Sequence, residues 1–487
     1  MDKKNFYITT SIAYTNAPPH LGFSLEVVQA DLLARYHRFL GEDTFYLTGT
    51  DEHGIKIARI AKKERKTPKE FCDELSAKFK KLTKILNLSN NDFIRTTDKK
   101  RHWPTVKKVW LKLKEKGDIY KKKYKGFYCQ GCESFIREKD LVNRKCIFHH
   151  QEPEIIEEEN YFFRLSKYSK EIKEIIKKDK IKIIPQTRKN EILNLIKQGL
   201  EDISFSRTRK NLKWGIPVPN DKTQTIYVWT DALTNYLSAL DYSKDSNKFK
   251  KYWPVDFHCI GKDILKFHAI IWPAILLSLN LPLPKTILVH GFITVDGQKM
   301  SKTLGNVIDP FELVEKYGTD AVRYFLLREI PSTEDGDFSY EKFEKRYNSD
   351  LANGLGNLVA RTITMVKRSN SKFEIQNSKQ IPNSKFQIKI EKTWKSYHNS
   401  LENFKFNKAL ISIWDLISFC DKYIEKEHPW ELLKLKTKNE KLKTILNNLL
   451  FALTNIARLL QPFLPETSEK IFNQLKTKKS QSLFPRI

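Results

Sequence analysis

The residues Phe6 to Glu26, FYITTSIAYTNAPPHLGFSLE, constrain the fold of this chain more than any other stretch. Phe6, Tyr7 and Ile8 are apolar and β-prone; the run breaks at Asn16-Ala17-Pro18-Pro19, and an amphipathic helix resumes from about Gly22 to Leu40. A strand, a tight turn and a helix entered through His20-Leu21-Gly22 make the first crossover of a nucleotide-binding type of α/β sheet. The unpaired N–H groups and positive dipole of a helix start favour phosphate there. Many strand–turn–helix units bind nothing, so the remaining residues decide what this one does.

The same alternation continues. Phe45-Tyr46-Leu47 reads as a second strand, Gly49 to Gly54 as the polar loop at its carboxyl end, and Ile55 onward as helix. Ligands of open parallel sheets sit at that loop position. Farther along, Thr225 to Trp229 reads as a strand feeding a helix, followed by DFHCIGKDILKFHAIIWPAILLSL and KTILVHGFITVDGQKMSKTLGN. This pattern predicts a doubly wound parallel sheet. From about Glu341 the apolar residues recur only at helical spacing. The expected organisation is therefore a catalytic α/β domain in two halves (1–115 and 216–340), an inserted connective domain (116–215) and an all-α C-terminal domain (341–487). Within the last, 366–390 is polar and repeats itself, NSKFEI at 370–375 and NSKFQI at 383–388, and is expected to be a solvated loop.

Composition narrows the partners. With 487 residues, 40% of them hydrophobic, the chain is long and apolar enough for about three packed domains. No window has the ~18 consecutive apolar residues of a membrane span, and the first residues have no apolar secretory core, so a cytoplasmic location is expected. Lysine plus arginine number 87 against 58 acidic residues, a net charge of +29 that permits a polyanionic partner. The lysines are spread along the chain, so part of the excess reflects general lysine richness.

Six cysteines in 487 residues do not make a disulfide scaffold. Cys72, Cys259 and Cys420 are isolated and expected to be buried apolar residues. Cys129-x2-Cys132-x13-Cys146-x2-His149 differs: two close ligand pairs are the spacing of a tetrahedral zinc knuckle. Four protein ligands leave no open position, so one structural zinc is expected; His150 is the alternative to His149.

Three elements carry candidate chemistry: His20-Leu21-Gly22, the acidic loop at Asp51, and Lys299-Met300-Ser301-Lys302-Thr303 after Gly297. With the cysteine pattern they resemble the class I aminoacyl-tRNA synthetases, whose two signatures are called HIGH and KMSKS. Within that class the chain is similar, almost end to end, to the methionyl-tRNA synthetases. The strings that carry the resemblance include YTNAPPHLG, FYLTGTDEHG, FIRTTD, SRTRKNLKWGIPVP, IYVWTDALTNY, GKDILKFHAIIWPA, VHGFITVDGQKMSKTLGN, DLANGLGNL and LLQPFLPETSEKI.

The resemblance implies activation of methionine by ATP, with Mg²⁺, followed by transfer to the 3′ end of tRNA(Met). His20, Lys299 and Lys302 would be catalytic, and Ser11, Gly22 and Ser301 would join them in binding ATP. Ile12, Tyr14, Asp51, Trp229, Ala232, Tyr236, Ile264 and His268 would form the methionine pocket, with Asp51 pairing the substrate ammonium. By themselves Trp229 and Tyr236 read as ordinary core residues. The helical C-terminal region would read the anticodon, with Trp430 as the candidate aromatic, and a monomer is expected because no dimerising module follows SLFPRI. One residue departs from the pattern: the fourth position of the first signature is Phe23, which cannot donate a hydrogen bond. The alternatives are a cysteinyl enzyme, which would hold zinc in its active site, and a catalytically silent tRNA-binding paralogue. The spacing from His20 to Lys299 leaves no room for the editing domain of the leucyl, isoleucyl and valyl enzymes.

Overall fold

The computed structural model describes residues 4–129, 131, 134–136, 138–147, 150–300, 305–369, 384–435 and 440–487. The chain divides into two compact units. The first comprises Met1–Pro19, His37–Lys84 and Leu88–His290, and the second His20–Tyr36, Ile85–Asn87 and Gly291–Ile487.

The first unit is built on a parallel sheet of β1 (Asn5–Thr10), β2 (Ala13–Tyr14), β3 (Asp43–Asp51), β4 (Asp92–Arg95), β5 (Lys182–Ile184), β6 (Phe257–Gly261) and β7 (Thr286–His290). Its order is β5-β7-β6-β1-β3, with β2 and β4 also on β3. Leu47 of β3 pairs with Thr9 on one side and Asp92 on the other, so β1 and β4 flank it on opposite edges. From β1 the chain builds to one side through β3 and returns to the other through β6. The carboxyl end of β1 is thus the topological switch point, where such sheets bind ligands. Burial on both faces explains why β7, TILVH, shows no polar alternation.

Inserted in this unit is an antiparallel ribbon, Ile119–Cys129 against Glu154–Phe163, paired from Ile119↔Phe163 to Tyr128↔Glu154. Lys123 faces Glu159 and Lys125 faces Glu157, opposite charges that support this register. Two expectations are corrected here. The strand β3 runs through to Asp51, so the loop begins at Glu52 rather than Gly49; Leu47 to Thr50 pair with β4 and carry the strand on. The strand expected over Thr225 to Trp229 ends at Ile226, and a helix covers Val228–Leu233. Val228, Ala232, Leu233 and Tyr236 are all buried at helical spacing, and packing overrides the β-propensity of Val228 and Trp229.

The second unit is mainly helical. In Glu440–Leu460, Leu442, Ile445, Leu446, Leu449, Leu453, Ile456 and Leu460 are buried, the apolar face of an amphipathic helix. The loop expected over 366–390 is shorter than the sequence suggests. The helix Asn357–Arg368 covers its start and Ser384–Glu402 its end, while 370–383 lie outside the described residues. Phe386 and Ile390 are buried four residues apart, which draws the second copy of the repeat into helix. At the centre of this unit Arg323 pairs with Asp31 at 2.8 Å, both side chains fully buried.

Candidate active site

At the switch point the Ser11 N–H donates to the Cys259 carbonyl at 3.2 Å, carrying the chain off β1 toward β6. Ile12 and Tyr14 follow, half-buried against the core. Tyr14 pairs in register with Asp51, and the Thr15 N–H donates to the Asp51 carbonyl at 2.9 Å. On the other side of β3, Gly49 permits the close approach of β4, since a Cβ there would lie 2.1 Å from the Ile94 carbonyl oxygen.

The two residues after Asp51 hold it in place. Glu52 takes a bidentate pair from Arg95, 2.6 Å from Nε and 2.8 Å from Nη2, and accepts from Thr97 as well. His53 Nδ1 lies 2.6 Å from Asp231 Oδ2, and His102 Nε2 lies 2.6 Å from Asp231 Oδ1. Burial pushes the Asp231 carboxyl up, but the charge of His53 and the hydrogen bonds of both histidines outweigh it and hold it below the usual carboxylate range. The pairing of Glu52 with Arg95, and of His53 and His102 with Asp231, is what sequence reasoning missed. Arg95, Glu52, His53 and Asp231 stand in FIRTTD, TDEHG and VWTDA, and His102 just beyond the first of these.

The other expected pocket residues lie in the same unit. Trp229 stacks on Phe267 with ring centroids 3.6 Å apart and planes 8° apart. Ala232 and Tyr236 are buried. The Tyr236 hydroxyl lies 2.7 Å from His268 Nε2, and His268 Nδ1 lies 3.2 Å from the Ile264 carbonyl. A carbonyl only accepts, so Nδ1 carries the proton, Nε2 accepts, and Tyr236 donates. His268 sits on a widened π-helical turn, Phe267–Ile271, which sequence periodicity did not reveal. Beneath Tyr236, at 4.4 Å between rings, His258 bonds through Nδ1 to the Thr9 hydroxyl at 2.7 Å.

Burial pushes His268 down to about 4 from its ordinary 6.5. The unfolded chain then takes up the proton first as pH falls, so this group lowers stability progressively from pH 6.5 to about 4. Urea midpoints measured between pH 7 and 4.5 should fall, and His268→Gln, which does not titrate, should make that fall shallower.

The signature residues belong to the second unit. The Gly22 N–H donates to His20 Nδ1 at 3.1 Å, and the N–H groups of Phe23 and Ser24 reach the His20 carbonyl at 3.1 and 3.2 Å. A Cβ at Gly22 would lie 2.9 Å from the His20 ring and 3.5 Å from Met300 Cε, so glycine leaves the exposed imidazole its space. Met300 follows the strand pair Thr294↔Lys299, whose turn is closed by the Gly297 N–H on Asp337 at 2.7 Å. Ser301 and Lys302 lie outside the described residues. Trp430 is half-buried beside His428, at 5.0 Å, with the Arg361 guanidinium 6.0 Å above its ring.

Among the described residues no group of three or more His, Cys, Asp or Glu is placed to hold a metal. Cys132 and His149 lie outside those residues. Of the four expected ligands, Cys129 and Cys146 are described. Cys129 is buried and ends a strand whose register pairs it with Ser134. Cys146 is buried too; its N–H donates to the Gln151 carbonyl at 2.9 Å and its carbonyl accepts from the His150 N–H at 2.8 Å.

The model of the family described as tRNA synthetases class I (M) matches residues 6–140 and 136–363, and that of the anticodon-binding domain of tRNA ligase matches 384–486. The methionine–tRNA ligase of Caldanaerobacter subterraneus subsp. tengcongensis is 45% identical, covering 100% of this chain and 79% of that protein. Its Thermotoga maritima counterpart is 44% identical over 98% of this chain and 76% of its own length. Among solved structures, Mycobacterium tuberculosis methionyl-tRNA synthetase in complex with methionyl-adenylate superposes with a TM-score of 0.91 at 35% identity, covering 99% of this chain and 100% of that one. The apo form of that enzyme gives a TM-score of 0.84 at 33% identity over 100% of this chain and 99% of that one. The chain belongs to the methionyl branch of the class I tRNA synthetases.

Proposed function

We propose that this chain is a methionine–tRNA ligase that activates methionine with ATP and transfers it to the 3′-terminal adenosine of tRNA(Met). The observation that carries the reading is the full-length likeness to an enzyme solved with methionyl-adenylate. In the first step a methionine carboxylate oxygen attacks the α-phosphorus, the bond to the bridging oxygen breaks, and pyrophosphate leaves with the electron pair. No covalent enzyme intermediate forms, so the protein's contribution is positioning and charge neutralisation.

In this reading Asp51 pairs with the substrate ammonium. Ile12, Tyr14, Trp229, Ala232, Tyr236, Ile264 and His268 enclose the thioether, where sulfur–aromatic contact is favourable. The hydrogen-bonded Tyr236–His268 pair supports that role, because a neutral, internally satisfied pair presents no charge to an apolar side chain. His20 donates to the phosphates and Lys299 and Lys302 neutralise their charge, with Mg²⁺ carried in on ATP, while Ser11, Gly22 and Ser301 complete the ATP contacts. Phe23 contributes no hydrogen bond from its side chain. The helical region matched by the anticodon-binding family reads the tRNA, with basic residues on its backbone and Trp430 against a base. A monomer acting in the cytoplasm suits this reading; no helix among the described residues is long and apolar enough to cross a membrane.

Purified protein should catalyse ATP–pyrophosphate exchange that depends on methionine and is lost in Lys302→Ala. No exchange with methionine, or faster exchange with cysteine, would overturn the assignment. For the connective domain we propose one structural zinc held by Cys129, Cys132, Cys146 and His149. Metal analysis should find about one zinc per chain, from the four-ligand site, and Cys129→Ser/Cys146→Ser should lose it. A zinc content unchanged in that double variant would exclude the site.

A further inference from the structure

Given the methionine pocket proposed above, we infer that Trp214 is a positioning residue for methionine binding. Its half-buried indole fixes His53 and, through Asp231, the helical turn that carries Trp229 and Ala232. Trp214 grips the Glu52-His53-Gly54 turn from two sides. The indole N–H donates to the Glu52 carbonyl at 2.5 Å, and the Trp214 carbonyl accepts from the Gly54 N–H at 3.3 Å. Between these bonds the ring meets His53 edge-on, with centroids 5.3 Å apart and planes 67° apart. The Glu52 carbonyl also accepts from the Cys72 thiol at 3.3 Å, a weak donor, so the indole is the stronger restraint on that peptide.

His53 passes the restraint on. Its Nδ1 lies 2.6 Å from Asp231 Oδ2, and Asp231 stands between Trp229 and Ala232 on the helix Val228–Leu233. Trp214 and Tyr14 also pack on one small apolar cluster, Ile57, Ala61, Phe71, Cys72 and Leu75. The segment that bears Trp214 leaves the connective insertion and is braced by the strand Asp221–Ile226. There the Thr225 hydroxyl donates to the Leu212 carbonyl at 2.7 Å, and the Ile226 N–H donates to the Ile216 carbonyl at 2.8 Å. A Cβ at Gly215 would lie 2.6 Å from Thr225 Cγ2, so glycine lets the two segments close. The same strand runs on into the helix Val228–Leu233. One brace therefore sets both the turn after Asp51 and the helix with Trp229, and a small loosening of it misplaces groups that must meet the amino acid together.

The test is methionine-dependent ATP–pyrophosphate exchange by the full chain and its variants, with urea midpoints measured alongside. Trp214→Phe keeps a ring but loses the N–H; it should raise the KM for methionine about three- to tenfold, the effect of one hydrogen bond, and leave kcat and the KM for ATP within about twofold. Thr225→Val removes the hydroxyl that braces Leu212 and leaves the indole in place; it should raise the methionine KM about twofold or more, and it decides the matter if Trp214→Phe does not fold. On a His53→Asn background the ring that Trp214 orients is gone, so Trp214→Phe should then change the methionine KM less than about twofold. A lower urea midpoint with a methionine KM like that of the parent chain would make Trp214 merely structural and overturn the positioning role, as would an undiminished effect on the His53→Asn background. A parent chain without methionine-dependent exchange would instead overturn the proposed function, and this role with it.

Discussion

Asp51→Asn should lower kcat/KM for methionine in ATP–pyrophosphate exchange about 30- to 3,000-fold, equivalent to the about 2–5 kcal/mol lost when one partner of a desolvated charge pair is removed. The substitution keeps shape and removes charge. Asp51 is held by its backbone, through the Tyr14 register and the Thr15 N–H, so the strand end should not move. At 7% exposure its carboxylate has little water to compete with a bound ammonium. The ammonium is not the reacting group, so binding is lost in ground and transition states alike, and the effect should fall mainly on the KM for methionine. The KM for ATP should stay within about threefold, since Asp51 is proposed to touch only the amino acid. A methionine KM close to that of the parent chain would remove Asp51 from the pocket.

Arg323→Met should destabilise the second unit by about 3–5 kcal/mol, read as a lower urea midpoint. Arg323 pairs with Asp31 at 2.8 Å and donates to the carbonyls of Phe463, Leu86 and Pro462 at 2.8, 3.1 and 3.1 Å. It therefore ties together three parts of the chain that are remote in sequence. Methionine fills similar volume but satisfies none of these acceptors, and each unsatisfied buried group costs about 1–3 kcal/mol. Arg35, 2.7 Å from Asp31, limits the damage by keeping that carboxylate paired. Adding Asp31→Asn to Arg323→Met should recover part of the loss, because the acceptor then no longer carries a buried charge. A double variant less stable than Arg323→Met by the full cost of Asp31→Asn alone would show that the two side chains act independently.

The parallel sheet, the strand from Asn5, the helix entered at His20 and the helical C-terminal region were all legible in the sequence. Their apolar residues repeat at fixed spacing within single elements. The boundaries at Asp51 and Val228 were not, because packing partners elsewhere in the chain decide where a strand stops and a helix starts. The knuckle pattern and the two signatures were readable for a different reason: their residues are contiguous or fall in pairs three apart, so they show as a string.

The site's supports were readable only in three dimensions. His53 and Asp231 are 178 positions apart, Arg95 and Glu52 are 43 apart, and Arg323 reaches Phe463 across 140. Each of these polar residues, taken alone, reads as a surface group. Burial turns it into half of a pair whose other half must be present. The sequence by itself determined the fold class and the family, because periodicity and short motifs are local properties. The tertiary structure decided how Asp51 is held and which histidine nitrogen faces Tyr236. Those depend on which groups lose water together, and sequence order does not specify that.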